Sequence, residues 1–187
     1  MKFPRGLDAA SNLVVSFSDY GLKTRLADKL VSSYGRWLGG FRTFELRSGG
    51  GRAGFEIEAL GGARAVLASK SLLSPVSFNK YGISLAALEG TALGALEAAA
   101  KEKVLFFDEL GPMAMLSGRF SARAVELLFS DRRCLVFYRK GAAVFEEAFS
   151  KMADTVIIEL TPGSWAEAVA STQAWLDRQA GGMEKFK

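Results

Sequence analysis

The segment Val104-Leu105-Phe106-Phe107-Asp108-Glu109-Leu110-Gly111-Pro112-Met113 constrains the fold of this chain more than any other. An apolar run that ends in two adjacent acids reads as a buried strand carrying carboxylates to the edge of a sheet. Such a strand needs helices on both of its faces, so the rest of the chain should alternate strands with amphipathic helices.

It does so on both sides. Asn12 to Phe17 reads as a first buried strand, followed by the turn-like Ser18-Asp19-Tyr20-Gly21. From Thr24 the apolar positions Leu26, Leu30, Val31 and Tyr34 recur at helical spacing, with Arg25, Asp28 and Lys29 on the other face. The middle differs. Arg42 to Arg47 and Ala53 to Leu60 alternate like half-exposed strands, and Gly49-Gly50-Gly51 turns the chain between them. A second turn at Gly61-Gly62 leads to Ala65 to Ala68, so an antiparallel hairpin over about 40–70 is expected beside a mainly parallel sheet. Helices are predicted over Ser84 to Lys101, Ser121 to Phe129 and Phe145 to Met152, and strands over Cys134 to Tyr138 and Thr155 to Leu160. Ser164 and Glu167 have capping-box spacing at the start of a last helix that packs Val169 and Trp175 or Leu176. Residues 1–180 are expected to form one domain, and 181–187 a flexible tail.

Composition removes several chemistries. The chain has 187 residues, enough for a three-layer core, and contains no His and one Cys, Cys134. Zinc sites, disulfides within the chain and Ser-His or Cys-His catalysis are therefore not expected. The net charge of +4 suits a phosphate-bearing partner but also an ordinary solvated surface. No apolar run approaches the roughly 20 residues of a membrane span, and Lys2 and Arg5 precede too short an apolar stretch for a secretory signal. A cytoplasmic location and no membrane contact are the expectation. Nothing resembles an RNA-recognition aromatic motif or a helix-turn-helix, which argues against a nucleic-acid partner.

Three further segments, read together with the acidic strand, resemble a known family. They are Gly40-Phe41-Arg42-Thr43-Phe44-Glu45-Leu46-Arg47, then Gly51-Arg52-Ala53-Gly54-Phe55, then Lys80-Tyr81-Gly82-Ile83 ahead of Leu88-Glu89. In this order, followed by Asp108-Glu109-Leu110-Gly111-Pro112-Met113, they are similar to the small P-loop nucleoside-triphosphatases of the thermophile type, from about residue 12 to residue 176. The resemblance implies an α/β, three-layer, RecA-like P-loop domain that hydrolyses ATP, GTP and other nucleoside triphosphates with Mg²⁺. It further implies that Gly21, Lys23 and Thr24 bind nucleotide, with Lys23 on the β- and γ-phosphates. Thr24 and Asp108 would hold the metal, and Glu109 would act as catalytic base on the attacking water. Glu45, Arg47 and Arg52 would border the cleft, with Arg139 and Lys140 near the γ-phosphate. All five are also readable as surface charge, and for Arg139 and Lys140 that is the preferred reading.

The phosphate loop departs from the family pattern at chemically costly places. Laid against Lys23, the family loop carries glycine where this chain has Phe17, Tyr20 and Leu22, and proline where it has Asp19. Glycine there adopts backbone angles that a Cβ disfavours and lets the main chain approach the phosphate, so a side chain costs about 1–3 kcal/mol. A carboxylate at position 19 near 4 Å from a phosphate oxygen would be repelled by roughly 4 kcal/mol per unit charge at an effective dielectric of about 20. The expectation is a diverged member of the family with weakened or lost Mg²⁺-dependent nucleotide binding, which leaves open whether it is an enzyme. The alternatives are a pseudo-NTPase that binds an unidentified protein partner, a still-active ATP or GTP hydrolase, or a nucleic-acid-binding protein.

Overall fold

The computed structural model describes residues 4–101 and 103–184. Nine strands form one sheet: β1 (Asn12–Phe17), β2 (Leu38–Ser48), β3 (Gly51–Ala59), β4 (Arg64–Ser69), β5 (Ser77–Phe78), β6 (Tyr81–Ile83), β7 (Val104–Leu110), β8 (Cys134–Arg139) and β9 (Thr155–Leu160). Their order is β5-β6-β4-β3-β2-β7-β8-β1-β9. The strands from β2 through β7, β8 and β1 to β9 pair in parallel, and those from β2 out to β5 pair antiparallel. β2 therefore serves both halves: Leu38 to Phe41 pair with β7, while Phe41 to Ser48 pair with β3. The antiparallel part continues the main sheet and runs past residue 70 to Ile83.

Strand periodicity of two divides the core into two layers. Val14, Val136, Leu105 and Phe107 face one side with Leu93, Leu96, Phe120 and Phe145. Leu13, Val15, Leu135, Phe106 and Phe137 face the other with Leu26, Leu30 and Trp175. The first layer is covered by α2 (Leu93–Ala98), α3 (Gly118–Leu128) and α4 (Ala143–Lys151), the second by α1 (Tyr20–Tyr34) and α5 (Trp165–Glu184). This is the three-layer α/β arrangement that the alternating pattern predicts.

Local chemistry sets the element ends. α3 starts at Gly118 because the Ser117 hydroxyl accepts from the Phe120 amide at 3.0 Å. The stretch before α2 differs from the expected regular helix, since Ala87–Ala92 forms a π-helical turn. Ser164 does not make the expected capping box: its hydroxyl donates to Glu159 O at 2.6 Å, and its own amide donates to Thr161 Oγ1 at 3.1 Å. Trp175 is fully buried and donates from Nε1 to Ala10 O at 2.9 Å, tying α5 to the segment before β1. α5 extends to Glu184, and residues 185–187 of the expected tail lie outside the described residues. Cys134 is buried, and burial pushes its thiol up to about 12, so it is inert packing. Among the described residues no helix is long and apolar enough to cross a membrane.

Candidate active site

The parallel pairing sets the carboxyl ends of β7, β8 and β1 side by side, with β8 in the middle. Asp108 and Glu109 leave from β7, Arg139 ends β8, and the loop after β1 leads into α1. Adjacent residues of a regular strand point to opposite faces. Here the β7–β8 register shifts, with Asp108 opposite Phe137 and Leu110 opposite Tyr138, so that Glu109 is an extra residue. A bulge of this kind re-aims side chains. Both acids consequently approach one cation: Lys23 Nζ donates to Asp108 Oδ1 at 2.6 Å and lies 3.6 Å from Glu109 Oε2.

Lys23 is wholly buried, and its helix explains why. Lys23, Leu26, Ala27, Leu30 and Tyr34 form the buried stripe of α1, at spacings of three, four, seven and eleven. Its ammonium also donates to Thr43 O at 2.9 Å, and the Tyr20 ring lies over it at 4.0 Å. Tyr20 is fixed in turn. Its hydroxyl donates to Thr43 O at 2.9 Å, and its ring packs edge-on against Phe17 and Phe55. Burial, with the Glu109, Asp108 and Glu45 carboxylates behind it, pushes the Tyr20 hydroxyl well above its ordinary range and keeps it a neutral donor.

The loop after β1 is short, because the helix begins at Tyr20. Asp19 is its N-cap: the carboxylate accepts from Leu22 N at 3.1 Å and the carbonyl accepts from Lys23 N at 3.1 Å. The free amides that make a helix N-terminus an anion site are thus partly used by Asp19, which also brings its own negative charge there.

Arg42 is the member of the cluster that sequence reasoning missed. It is 7% exposed, its Nη2 donates to Asp28 Oδ1 at 2.7 Å, and its Nε lies 3.7 Å from Asp108 Oδ2. Its partners lie on α1 and β7, remote in sequence, so no local pattern marked it. Burial raises the pKa of Asp108, with Lys23 and Arg42 pulling it back. Glu109 is pushed up to about 7, by burial first, with Lys23 and Arg139 opposing and Asp108 adding. Asp108 Oδ2, Glu109 Oε2 and Arg42 Nε are buried without a hydrogen-bond partner, as is common at functional sites and rare in a finished core.

The other expected residues fall into two neighbouring depressions. Gly21, Thr24, Glu45, Arg47 and Arg52 line a shallow groove with Asp19 and Tyr20. Glu45 pairs with Arg47 at 3.0 Å and with Arg52. Arg139 and Lys140 instead line a cavity of about 290 Å³ on the far side of Glu109, with Arg52 shared between the two. Lys140 pairs with Glu159 at 3.1 Å.

For a metal ion, Thr24 and Asp108 are the residues to test. Asp108 is fully buried, with one oxygen on Lys23 and the other facing Arg42, while Thr24 lies on the groove. Among the described residues no three His, Cys, Asp or Glu side chains gather to hold a metal. As placed, these residues do not fit Mg²⁺, which could reach Asp108 only after Lys23 and Arg42 release it.

The sequence profile of the NTPase family matches residues 20–171. This chain belongs to that family. It is 36% identical over 139 residues to the nucleoside-triphosphatase THEP1 of Thermotoga maritima, covering 74% of this chain and 79% of that protein. It is also 36% identical over 127 residues to the protein of the same name from Thermococcus kodakarensis, covering 63% and 71%. The crystal structure of THEP1 from Aquifex aeolicus superimposes with a TM-score of 0.78 at 24% identity, over 88% of this chain and 98% of that one. The solution structure of a human cancer-related nucleoside triphosphatase gives 0.71 at 24% identity, over 87% and 95%. Both solved structures share the fold.

Proposed function

We propose that this NTPase-family chain has a degenerate phosphate loop and that its Mg²⁺-dependent binding and hydrolysis of nucleoside triphosphates are weakened or lost. The observation that carries the reading is the place of Lys23: wholly buried, paired with Asp108 and roofed by the Tyr20 ring. To meet a triphosphate, Lys23 must leave Asp108, and Tyr20 must lift away. Breaking a buried ion pair so that one charge is left alone costs about 3–5 kcal/mol. At about 1.4 kcal/mol per tenfold, that is roughly two to three and a half powers of ten in affinity. Asp19 adds like charge at the helix N-terminus and occupies the Leu22 amide. The matched family span begins at Tyr20, the first residue of α1.

A second reading, a still-active ATP or GTP hydrolase, is favoured by one observation. Asp108 and Glu109 are both present, and Glu109, with its pKa near 7, has the proton affinity that suits a general base at neutral pH. Calorimetric titration of the intact protein with ATP and GTP, each with and without Mg²⁺, separates the two. No heat at millimolar nucleotide is the expected result. Micromolar, Mg²⁺-dependent binding would overturn the first reading and make Glu109→Gln the next variant to assay for turnover.

A further inference from the structure

The cavity beyond Glu109 contains neither Lys23 nor Thr24 and shares only Glu109 with the residues on which the two readings above rest. We propose that it binds a small organic anion with an aromatic body, the anion held by Arg139. Its volume of about 290 Å³ lies at the lower end for small-molecule pockets, roughly 300–1,000 Å³, and suits a one- or two-ring body. It opens at the carboxyl ends of β7 and β8, where ligands of parallel sheets characteristically bind, and strands β3 to β6 wall it on the other side.

Its lining has an apolar region and a polar end. Phe41, Phe55, Phe78, Leu88 and Met113 supply the apolar wall. Arg52, Arg139 and Lys140 face a single acid, Glu109, so the cavity's charge favours an anion. Two of those cations are already engaged, Arg52 with Glu45 and Lys140 with Glu159. Arg139 makes no ion pair or side-chain hydrogen bond with any described residue, which leaves its planar fork free to grip a carboxylate in two places. Glu109 supplies the complementary acceptor: Oε2 is buried toward Lys23, and Oε1, beside Gly111 at the polar end of the cavity, is the oxygen left to take a ligand hydroxyl or N–H. Gly111 separates the two. A Cβ there would lie 3.3 Å from Glu109 Oε1 and 3.4 Å from Arg139 Cβ, so the glycine keeps the polar end open.

The test is calorimetric titration of the intact protein with three probes of one ring system: naphthoate, naphthol and naphthylmethylamine. Naphthoate is expected to bind about tenfold or more tightly than the other two. Arg139→Met should weaken naphthoate binding about tenfold, and Ala114→Met, which fills the cavity, should abolish it. Lys151→Met, on the exposed end of α4, should leave it unchanged. Thermal melts show whether each variant folds, and the rank order of the probes on the unaltered protein stands whatever a variant does. Equal binding of naphthol, indifference of naphthoate to Arg139→Met, or no heat with any probe would each overturn the proposal. The nucleotide titration bears on the Lys23 site alone, so the two proposals can fail separately.

Discussion

Glu109 is where burial and charge disagree most visibly. Its carboxyl is pushed up to about 7 from an ordinary 4.5, with burial the largest cause. A raised folded-state pKa means that the folded protein prefers the protonated acid. The stability this contributes is fully present below about pH 4.5 and is lost as pH rises through about 7. The span corresponds to about 3 kcal/mol, at 1.36 kcal/mol per pH decade. Glu109→Gln removes the titration, so its stability relative to the unaltered protein should rise by about that amount between pH 4.5 and 8 in urea unfolding. A difference that stays flat with pH would show that folding does not raise the Glu109 pKa. At this scale the sequence was legible where spacing carried the information. Lys23 sits in register with Leu26, Ala27 and Leu30, which is why it is buried. Arg42 was not legible, because nothing local says that a strand residue will meet Asp28 of one helix and Asp108 of another strand.

Among the elements, the start of α1 is where the proposed weakening of phosphate binding is tested. A helix beginning near Thr24 after an open turn was the reading from sequence, but Asp19 in an N-cap conformation brings the start forward to Tyr20. Capping by Asp19 sets this start, and a pattern of apolar positions does not reveal it. The triple variant Asp19→Gly/Tyr20→Gly/Leu22→Gly removes the cap, the roof over Lys23 and the side chain next to it. Replacing the cap by glycine costs only about a few tenths of a kcal/mol, but two glycines in the first helical turn cost about 1 kcal/mol each, so the helix should begin later and the loop loosen. ATP with Mg²⁺ is then expected to bind about tenfold or more tightly than to the unaltered chain, by equilibrium titration. A folded triple variant with no gain would place the obstacle in the Lys23–Asp108 pair itself.

For the molecule as a whole, the alternation of strands and helices made the parallel half legible, and the paired glycine turns made the first antiparallel strands legible. What the sequence concealed was the join. An alternating segment beginning at Arg42 reads as the start of a separate hairpin, whereas β2 begins at Leu38 and carries the sheet from parallel to antiparallel pairing without a break. The reason lies in Gly39 and Gly40, which interrupt the strand pattern at the place where β2 meets β7. Gly40 has φ +139°, and a Cβ on it would lie 2.2 Å from Phe106 O. Close backbone approach excludes a side chain there, so glycine marks the join where a pattern search sees a gap. Gly40→Ala should therefore strain both halves of the sheet at once and cost about 2–6 kcal/mol, from the disfavoured backbone angle and the steric overlap together. Gly94→Ala, in α2 with open space around it, should instead be neutral or stabilise by about 0.5–1 kcal/mol. Urea unfolding of the two variants side by side separates a packing requirement from a general intolerance of alanine. If Gly40→Ala shifted the midpoint no more than Gly94→Ala, the approach of β2 to Phe106 could not be what joins the two halves.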